Sequence, residues 1–348
     1  MKILVIDYMS YSNHCNFNKI HIESLFNLGH KLYFIGKKGH FDKVKGIGSI
    51  VCEIPEWVYR KYPYPPLSVR LKDIMALRWV NKHIRQDNYD IIIFPTYDIM
   101  SIWAYKTDKP VLLINHNNVS QLDSYIKLKI TLNLPKNFRH ICLNKQMEDR
   151  LRQILKNRDI SYVPHGILSS YSELSEPKYM ANSNNFIFCP INRNYDESFV
   201  RSLLHSPAFY DYLLNNELML FIKRGLPYDG GCENIIVLDN NIKKSEYNYM
   251  IQNAKAVLLP YSEEFKYRCS GIFFECVSSN TPIVSSDIPA FRIYEGLTNL
   301  LFFTDVTSLI ADLNSINEQK LKQNDTEAFM PDSYWRKLLE SISIVPLK

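Results

Sequence analysis

The stretch Tyr267-Arg268-Cys269-Ser270-Gly271-Ile272-Phe273-Phe274-Glu275-Cys276-Val277 holds residue types whose spacing suits chemistry on an anion. Ser270-Gly271 lets backbone come close to a ligand at a predicted helix start, where free N–H groups and the helix dipole favour negative charge. Glu275 follows one helical turn later and can accept hydrogen bonds from hydroxyls. A phosphate cradle beside a hydroxyl acceptor is what a nucleotide-sugar site requires. The alternative is an ordinary β-α-β unit whose Ser and Gly only make a turn.

Other residues carry weaker signals. His116 closes the predicted strand Val111 to Asn115, and in open parallel sheets ligands gather at carboxyl strand ends. Arg193 sits in a polar turn after the strand Phe186 to Cys189. The strand Leu218 to Ile222 runs into Lys223-Arg224-Gly225, where adjacent cations and a glycine invite an anion or simply make a surface turn.

The elements that must position these residues alternate strand and helix throughout, the mark of an α/β chain with parallel sheets. In the first half, strands are expected at Lys2 to Tyr8, Lys31 to Gly36, Ile50 to Ile54, Asp90 to Phe94, Val111 to Asn115, Ile141 to Leu143 and around Ile160. Helices are expected at Ile20 to Leu28, Ile74 to Gln86 and Lys145 to Leu155. Polar sequence from Ser169 to Asn185 reads as a linker. The alternation then restarts: strands at Phe186, Leu218, Ile235, Ala256, Ile283 and Leu300, with a closing helix carrying Tyr334, Trp335, Leu338, Leu339 and Ile342 on one side. Two similar doubly wound units result, 1–168 and 186–330, with 169–185 between them and a helix in 331–348 expected to pack back on the first.

Composition bounds the function. With 46% hydrophobic and 22% charged residues in 348, the chain is globular and long enough for two cores. The apolar run after Met1 is too short for a signal peptide, and no run approaches the roughly 20 residues that span a bilayer. Seven cysteines without a C-x-x-C pair argue against a zinc ribbon or a disulfide framework, so a reducing cytoplasm is expected. Net charge is +5, yet residues 1–170 carry 25 Lys and Arg against 14 Asp and Glu, and the rest carry 16 against 22. A basic first half suits phosphate-bearing lipid or an anionic membrane surface; no nucleic-acid motif is present. Tyr59-Arg60-Lys61-Tyr62-Pro63-Tyr64-Pro65-Pro66, followed by Arg70 and Lys72, mixes aromatics with cations as a bilayer interface would favour, or forms a proline-rich surface loop.

With those residues placed, the chain resembles the GT-B glycosyltransferases, and within them the group 1 or family 4 type. Glu275 through Asp287 follows that family's glutamate and Gly-Thr-Pro-Val-Val pattern, with Asn280 in place of the usual glycine. Ser270-Gly271 matches a Ser-Gly often found ahead of the glutamate. Pro164-His165-Gly166-Ile167 resembles a Pro-Asn-Gly-Val at the domain junction, and His116 matches a histidine that contacts the donor sugar. Two departures stand out. Tyr267 occupies the position of the first of two glutamates, and the lysine expected after the first strand of the second domain is absent, leaving Lys223, Arg224 or Arg268 beside Arg193.

The resemblance implies two Rossmann-like domains facing a central cleft and transfer of a sugar from a nucleotide-diphosphate donor to a glycan or lipid-linked glycan. A bacterial surface polysaccharide such as capsule or O-antigen is the implied product, and the cytoplasm, at the inner membrane face, the implied place. Ser270 and Gly271, with Arg268 or Arg193, would meet the diphosphate; Glu275 the ribose; His116 the sugar. Retention is implied, with the departing phosphate assisting the acceptor; under inversion, His14 or Asp7 would be the base. No Asp-x-Asp occurs, so no metal or other cofactor is expected. The rivals are a non-catalytic binding partner of this fold and a sugar-nucleotide epimerase.

Overall fold

The computed structural model describes residues 1–11, 14–59, 67–167, 173–180, 185–191, 193–223, 225, 228–239, 242–318 and 324–344. They divide into two compact units, the first comprising 1–166, 267–269 and 330–348, the second 167–266 and 270–329.

The first unit is built on a seven-stranded parallel sheet: β1 (Lys2–Asp7), β2 (Lys31–Lys37), β3 (Ser49–Ile54), β4 (Ile91–Phe94), β5 (Val111–Asn115), β6 (Phe138–Cys142) and β7 (Ile160–Tyr162). Their order is β3-β2-β1-β4-β5-β6-β7, so the winding reverses between β1 and β4. Central strands are buried on both faces, which is why Ile3 to Ile6, Ile91 to Phe94 and Val111 to Ile114 read as unbroken apolar runs. The helices are α1 (Cys15–Asn27), α2 (Leu67–His83), α3 (Tyr125–Leu132) and α4 (Lys145–Ile154). α1 and α2 start earlier than the sequence predicts, because their first turns are polar or follow a proline run and show no apolar period.

The second unit repeats the plan with six parallel strands: β8 (Phe186–Cys189), β9 (Met219–Lys223), β10 (Ile235–Leu238), β11 (Ala256–Leu259), β12 (Ile283–Ser286) and β13 (Leu300–Phe303). Their order is β10-β9-β8-β11-β12-β13, with the reversal between β8 and β11. Around it lie α5 (Glu197–Leu204), α6 (Pro207–Asn215), α7 (Lys244–Asn253), α8 (Gly271–Ser279), α9 (Pro289–Arg292) and α10 (Val306–Glu318). The division differs from the sequence expectation mainly at Tyr267 and Arg268, which fall in the first unit although flanked on both sides by the second.

The last helix, α11 (Asp332–Ile344), belongs to the first unit. Its Trp335 is fully buried and donates its indole N–H to His21 Nδ1 at 3.0 Å. His21 Nε2 is 3.1 Å from the His165 carbonyl, so Nε2 bears the proton and Nδ1 accepts. A second proton on this ring would point at the indole N–H. Burial, with the neighbouring His165, holds the His21 pKa down at about 3.

Residues 60–66, the middle of the aromatic and cationic segment, lie outside the described residues. Beside them Trp57, Val69 and Leu71 are exposed, and the Lys72 ammonium lies 5.5 Å from the Tyr59 ring centre. Among the described residues no helix is long and apolar enough to cross a membrane.

Two stability predictions follow from local chemistry. Asn280 closes α8 in the left-handed region (φ 57°), and its Oδ1 accepts from Asn299 Nδ2 and from the Asn324 N–H. Asn280→Ala loses both bonds and strains the backbone, costing roughly 1–2 kcal/mol; Asn280→Gly loses only the bonds. Denaturant titration should rank them wild type, Gly, Ala, and equal stability of the two variants would contradict this. His140 on β6 is buried, with neither ring nitrogen bonded among the described residues, and burial lowers its pKa to about 4. A histidine lowered on folding stabilises above its unfolded pKa of ~6.5 and loses that contribution as pH falls towards 4. Asp73 and Asp312, raised by burial to about 7 and about 6, act with the opposite sign. The His140 contribution is therefore read by difference: the Tm of His140→Met should fall less than that of wild type between pH 6.5 and 4, and parallel curves would refute it.

Candidate functional site

In the second unit the loops after β8 and β11 flank the sheet's reversal, the place where doubly wound sheets bind ligands. Three backbone contacts tie these loops together. The Asp196 N–H donates to the Pro260 carbonyl at 2.8 Å, the Ser262 N–H donates to the Asn194 carbonyl at 3.0 Å, and Tyr195 bridges to Tyr261. The Tyr261 hydroxyl, buried, is 2.9 Å from Ser270 Oγ. Ser270 caps α8, its Oγ accepting the Phe273 N–H at 3.2 Å. The serine hydroxyl is thus committed to building the helix start.

What it leaves available is backbone. The N–H groups of Gly271 and Ile272 have no partner among the described residues. Gly271 is exposed, and a Cβ built on it would meet nothing within 4 Å. The protein's own packing does not require glycine here. Two N–H groups at a helix N-terminus with no partner among the described residues form an anion seat.

Glu275, on the next turn of α8, is held at both oxygens. Lys244 Nζ lies 3.0 Å from Oε1 and the Tyr247 hydroxyl donates to Oε2 at 2.8 Å. Both partners come from α7, and sequence reading passed over them. Contact between two successive helices is not visible as a local pattern, although two lysines at a helix start were a detectable oddity. Of the expected cations, Arg193 is exposed in the loop after β8, and Lys223, half-buried, ends β9, the strand paired with β8. Arg224 lies outside the described residues.

Tyr267 and Arg268 group with the first unit. Arg268 Nε donates to Ser120 Oγ at 3.3 Å, its carbonyl accepts from Asn144 Nδ2, and the Arg150 guanidinium lies 5.4 Å from the Tyr267 ring centre.

The first unit has its own reversal, between β1 and β4. His14, from the loop after β1, lies with Nδ1 3.0 Å from Thr96 Oγ1, from the loop after β4. The His14 and His116 rings stack at 4.7 Å, and Phe17 packs edge-on to His116 at 4.3 Å. His116 Nε2 donates to the Pro95 carbonyl at 2.9 Å, so its Nδ1 is the acceptor. Burial, reinforced by the neighbouring His14, lowers the His116 pKa well below the usual value, and burial lowers that of His14. Both rings are neutral at pH 7. Asp7 differs from the role of a base: it is fully buried, and its carboxylate takes bonds from the Ser10 N–H (2.9 Å), Asn18 Nδ2 (2.8 Å) and His40 Nε2 (2.7 Å). It fixes the first loop. His40, Asn18 and Thr96 also escaped sequence reading, being far apart in the chain.

No protein-family model matches the chain, and no curated protein matches it in sequence. Solved structures do match it along its length. Anabaena HepE, crystallised with UDP and glucose, superposes with a TM-score of 0.63 at 14% identity, covering 99% of this chain and 100% of that one. Sucrose-phosphate synthase from Thermosynechococcus elongatus gives 0.60 at 13%, covering 99% and 96%. The trehalose-6-phosphate synthase OtsA gives 0.66 at 10%, covering all of both chains. With two parallel sheets each reversing once, the chain has the GT-B fold of these glycosyltransferases.

Proposed function

We propose that the protein is a glycosyltransferase that moves a sugar from a nucleotide-diphosphate donor to a glycan or lipid-linked glycan. The observation that carries this reading is the start of α8: two N–H groups without partners among the described residues, open space beside the Gly271 Cα, and a carboxylate one turn further on. The N–H groups of Gly271 and Ile272 suit the diphosphate, Glu275 the ribose diol, and Arg193 and Lys223 the remaining phosphate charge. HepE, of the same fold, is a structure with UDP-glucose bound, which supports the donor class.

Bond breaking at the sugar leaves negative charge on the diphosphate, and preorganised N–H donors lower that barrier without reorganising. In the retaining course the acceptor hydroxyl attacks the anomeric carbon from the face the phosphate leaves. Its proton passes to the departing phosphate oxygen, so no protein base is needed. Neutral His116 accepts, through Nδ1, a hydroxyl of the transferred sugar. Arg268, held by its bond to Ser120, adds positive charge. We read the reaction as metal-independent, with charge met by these groups, and a surface polysaccharide as the product. Contact with an anionic membrane through the segment around Arg70 and Lys72 completes the proposal.

A second course is favoured by one observation: His14 is neutral and fixed by Thr96, as an inverting base would be. Proton NMR of the product's anomeric configuration separates the two.

Three variants test the assignments. Glu275→Ala should weaken nucleoside-diphosphate binding on the order of tenfold by calorimetry, the worth of lost bonds to a charged acceptor. Gly271→Ala should leave Tm unchanged, since its methyl meets nothing in the free protein, yet weaken the same binding. His116→Ala should lower turnover on the order of tenfold or more while nucleotide affinity stays near wild type. Unchanged affinity in the first two, or full turnover in the third, removes the corresponding role.

A further inference from the structure

The helix α3 presents its apolar residues the wrong way round for a core element. Of its eight residues only Thr131 is buried. On the opposite side Tyr125, Ile126, Lys129 and Leu132 recur at helical spacing and are exposed, Tyr125 by 75% and Ile126 by 60%. Leu128 and Ile130 pack against the core, each only half-buried. Polar bonds hold both ends of the helix. Lys127 Nζ donates to Gln121 Oε1 at 2.6 Å, and Arg158 donates to the carbonyls of Leu132 (2.7 Å), Leu134 and Pro135 (2.8 Å) at the exit. Folding gains little from the outward tyrosine, isoleucine and leucine. Exposed apolar residues are ordinary when scattered singly, but several together on one helix face mark an interaction surface.

The same side of the first sheet carries more of this surface. The steps β3 to β4, β4 to β5 and β5 to β6 run in one direction across the strand order, so right-handed crossovers put all three connections on one side, opposite α1. Asn81 of α2 donates to the Ala104 carbonyl at 2.9 Å, and Asn137, after α3, donates to the carbonyls of Thr107 and Lys109. The three connections thus form one layer, in which Val69 and Leu71 of α2 and Trp103 of the middle connection are also exposed.

Charge decides what covers this face. From Ser124 to Met147 the chain holds Lys127, Lys129, Lys136, Arg139 and Lys145 and no acid. Asp123, just ahead of α3, is paired with Arg150 at 3.0 Å. A second copy set here by two-fold symmetry would bring lysine against lysine with no carboxylate between them. An anionic bilayer answers both features at once: lipid phosphates meet the ammonium groups, while aromatic and aliphatic side chains enter the headgroup region. We propose that α3 is a membrane-docking helix, lying along an anionic bilayer with Tyr125, Ile126 and Leu132 inserted and Lys129 and Lys136 at the lipid phosphates. It adds an apolar attachment to the contact proposed around Arg70 and Lys72, and it does not depend on the reaction.

The test is co-sedimentation of the full chain with phosphatidylcholine vesicles made with and without phosphatidylglycerol, at low and high salt, with Tm and sedimentation velocity recorded. Wild type should partition onto the anionic vesicles and be released by salt. Tyr125→Ser and Ile126→Ser should each weaken partitioning on the order of tenfold, through lost apolar burial, and Lys129→Ser about fivefold. Tm should stay at the wild-type value in all three, since the side chains are exposed. Ile126→Trp should shift its emission to the blue on anionic vesicles alone. If the α3 variants sediment like wild type while Arg70→Ser and Lys72→Ser do not, the α3 proposal is overturned and the earlier contact stands. If wild type fails to sediment, both are lost. Equal partitioning onto vesicles without phosphatidylglycerol, or a wild-type dimer that Ile126→Ser turns into monomer, would also overturn the proposal by giving the face another occupant.

Discussion

Parallel pairing of β8 with β11 is the constraint from which the candidate site follows. Parallel neighbours cannot be joined by a hairpin, so each connection crosses back as a helix, and every helix then starts at the same edge of the sheet. Where the winding reverses, the loops on either side diverge and leave room between them. In the second unit the loops 193–196 and 260–262 flank that reversal, stitched together by the Asp196 and Ser262 backbone bonds, and Tyr261 reaches Ser270. α8 begins there because Ser270 caps it, and Ser270 is placed because Tyr261 holds its hydroxyl. The N–H groups of Gly271 and Ile272, without partners among the described residues, are what remains once those bonds are made.

The first unit meets the same constraint with different chemistry. Its reversal brings the loops after β1 and β4 together, and histidines fill the place that backbone N–H groups take in the second. Burial, and for His116 the neighbouring His14, lowers the pKa values of these two rings, which leaves them uncharged at pH 7. Asp7, with the same address, is spent on holding the first loop through Ser10, Asn18 and His40. A carboxylate that already carries three donors is a strut. The basic surplus of residues 1–170 is spread over this unit, part of it engaged locally, as with Lys72 against Tyr59.

The sequence carried the sheets almost entirely. Strands buried on both faces are apolar without interruption, and runs such as Ile91 to Phe94 or Ala256 to Leu259 have no other plausible reading. Helices were harder. α6 was passed over although Ser206 caps it, Pro207 opens it, and Phe209, Tyr212 and Leu213 are buried at helical spacing. α3 offers less: Tyr125 and Ile126 are exposed and its apolar residues do not fall on one face. The Ser-Gly start and Glu275 were readable because they lie within one turn of each other. Lys244, Tyr247, Thr96 and His40 were not, because each gains meaning only from a partner 28 to 82 residues away, a distance that folding closes and composition does not record. Tyr267 and Arg268 were legible as neighbours of Ser270 in sequence, but their engagement with Arg150, Ser120 and Asn144 was not, since those partners lie more than 100 residues away.

The account stands on the two N–H groups at the start of α8. Backbone-amide NMR of the 15N-labelled protein, titrated with UDP, GDP and ADP in turn, observes those groups themselves. The account predicts that the nucleotide which binds moves the Gly271 and Ile272 amide resonances furthest, saturating together with calorimetric binding. A nucleotide that binds with these two resonances unmoved would contradict it.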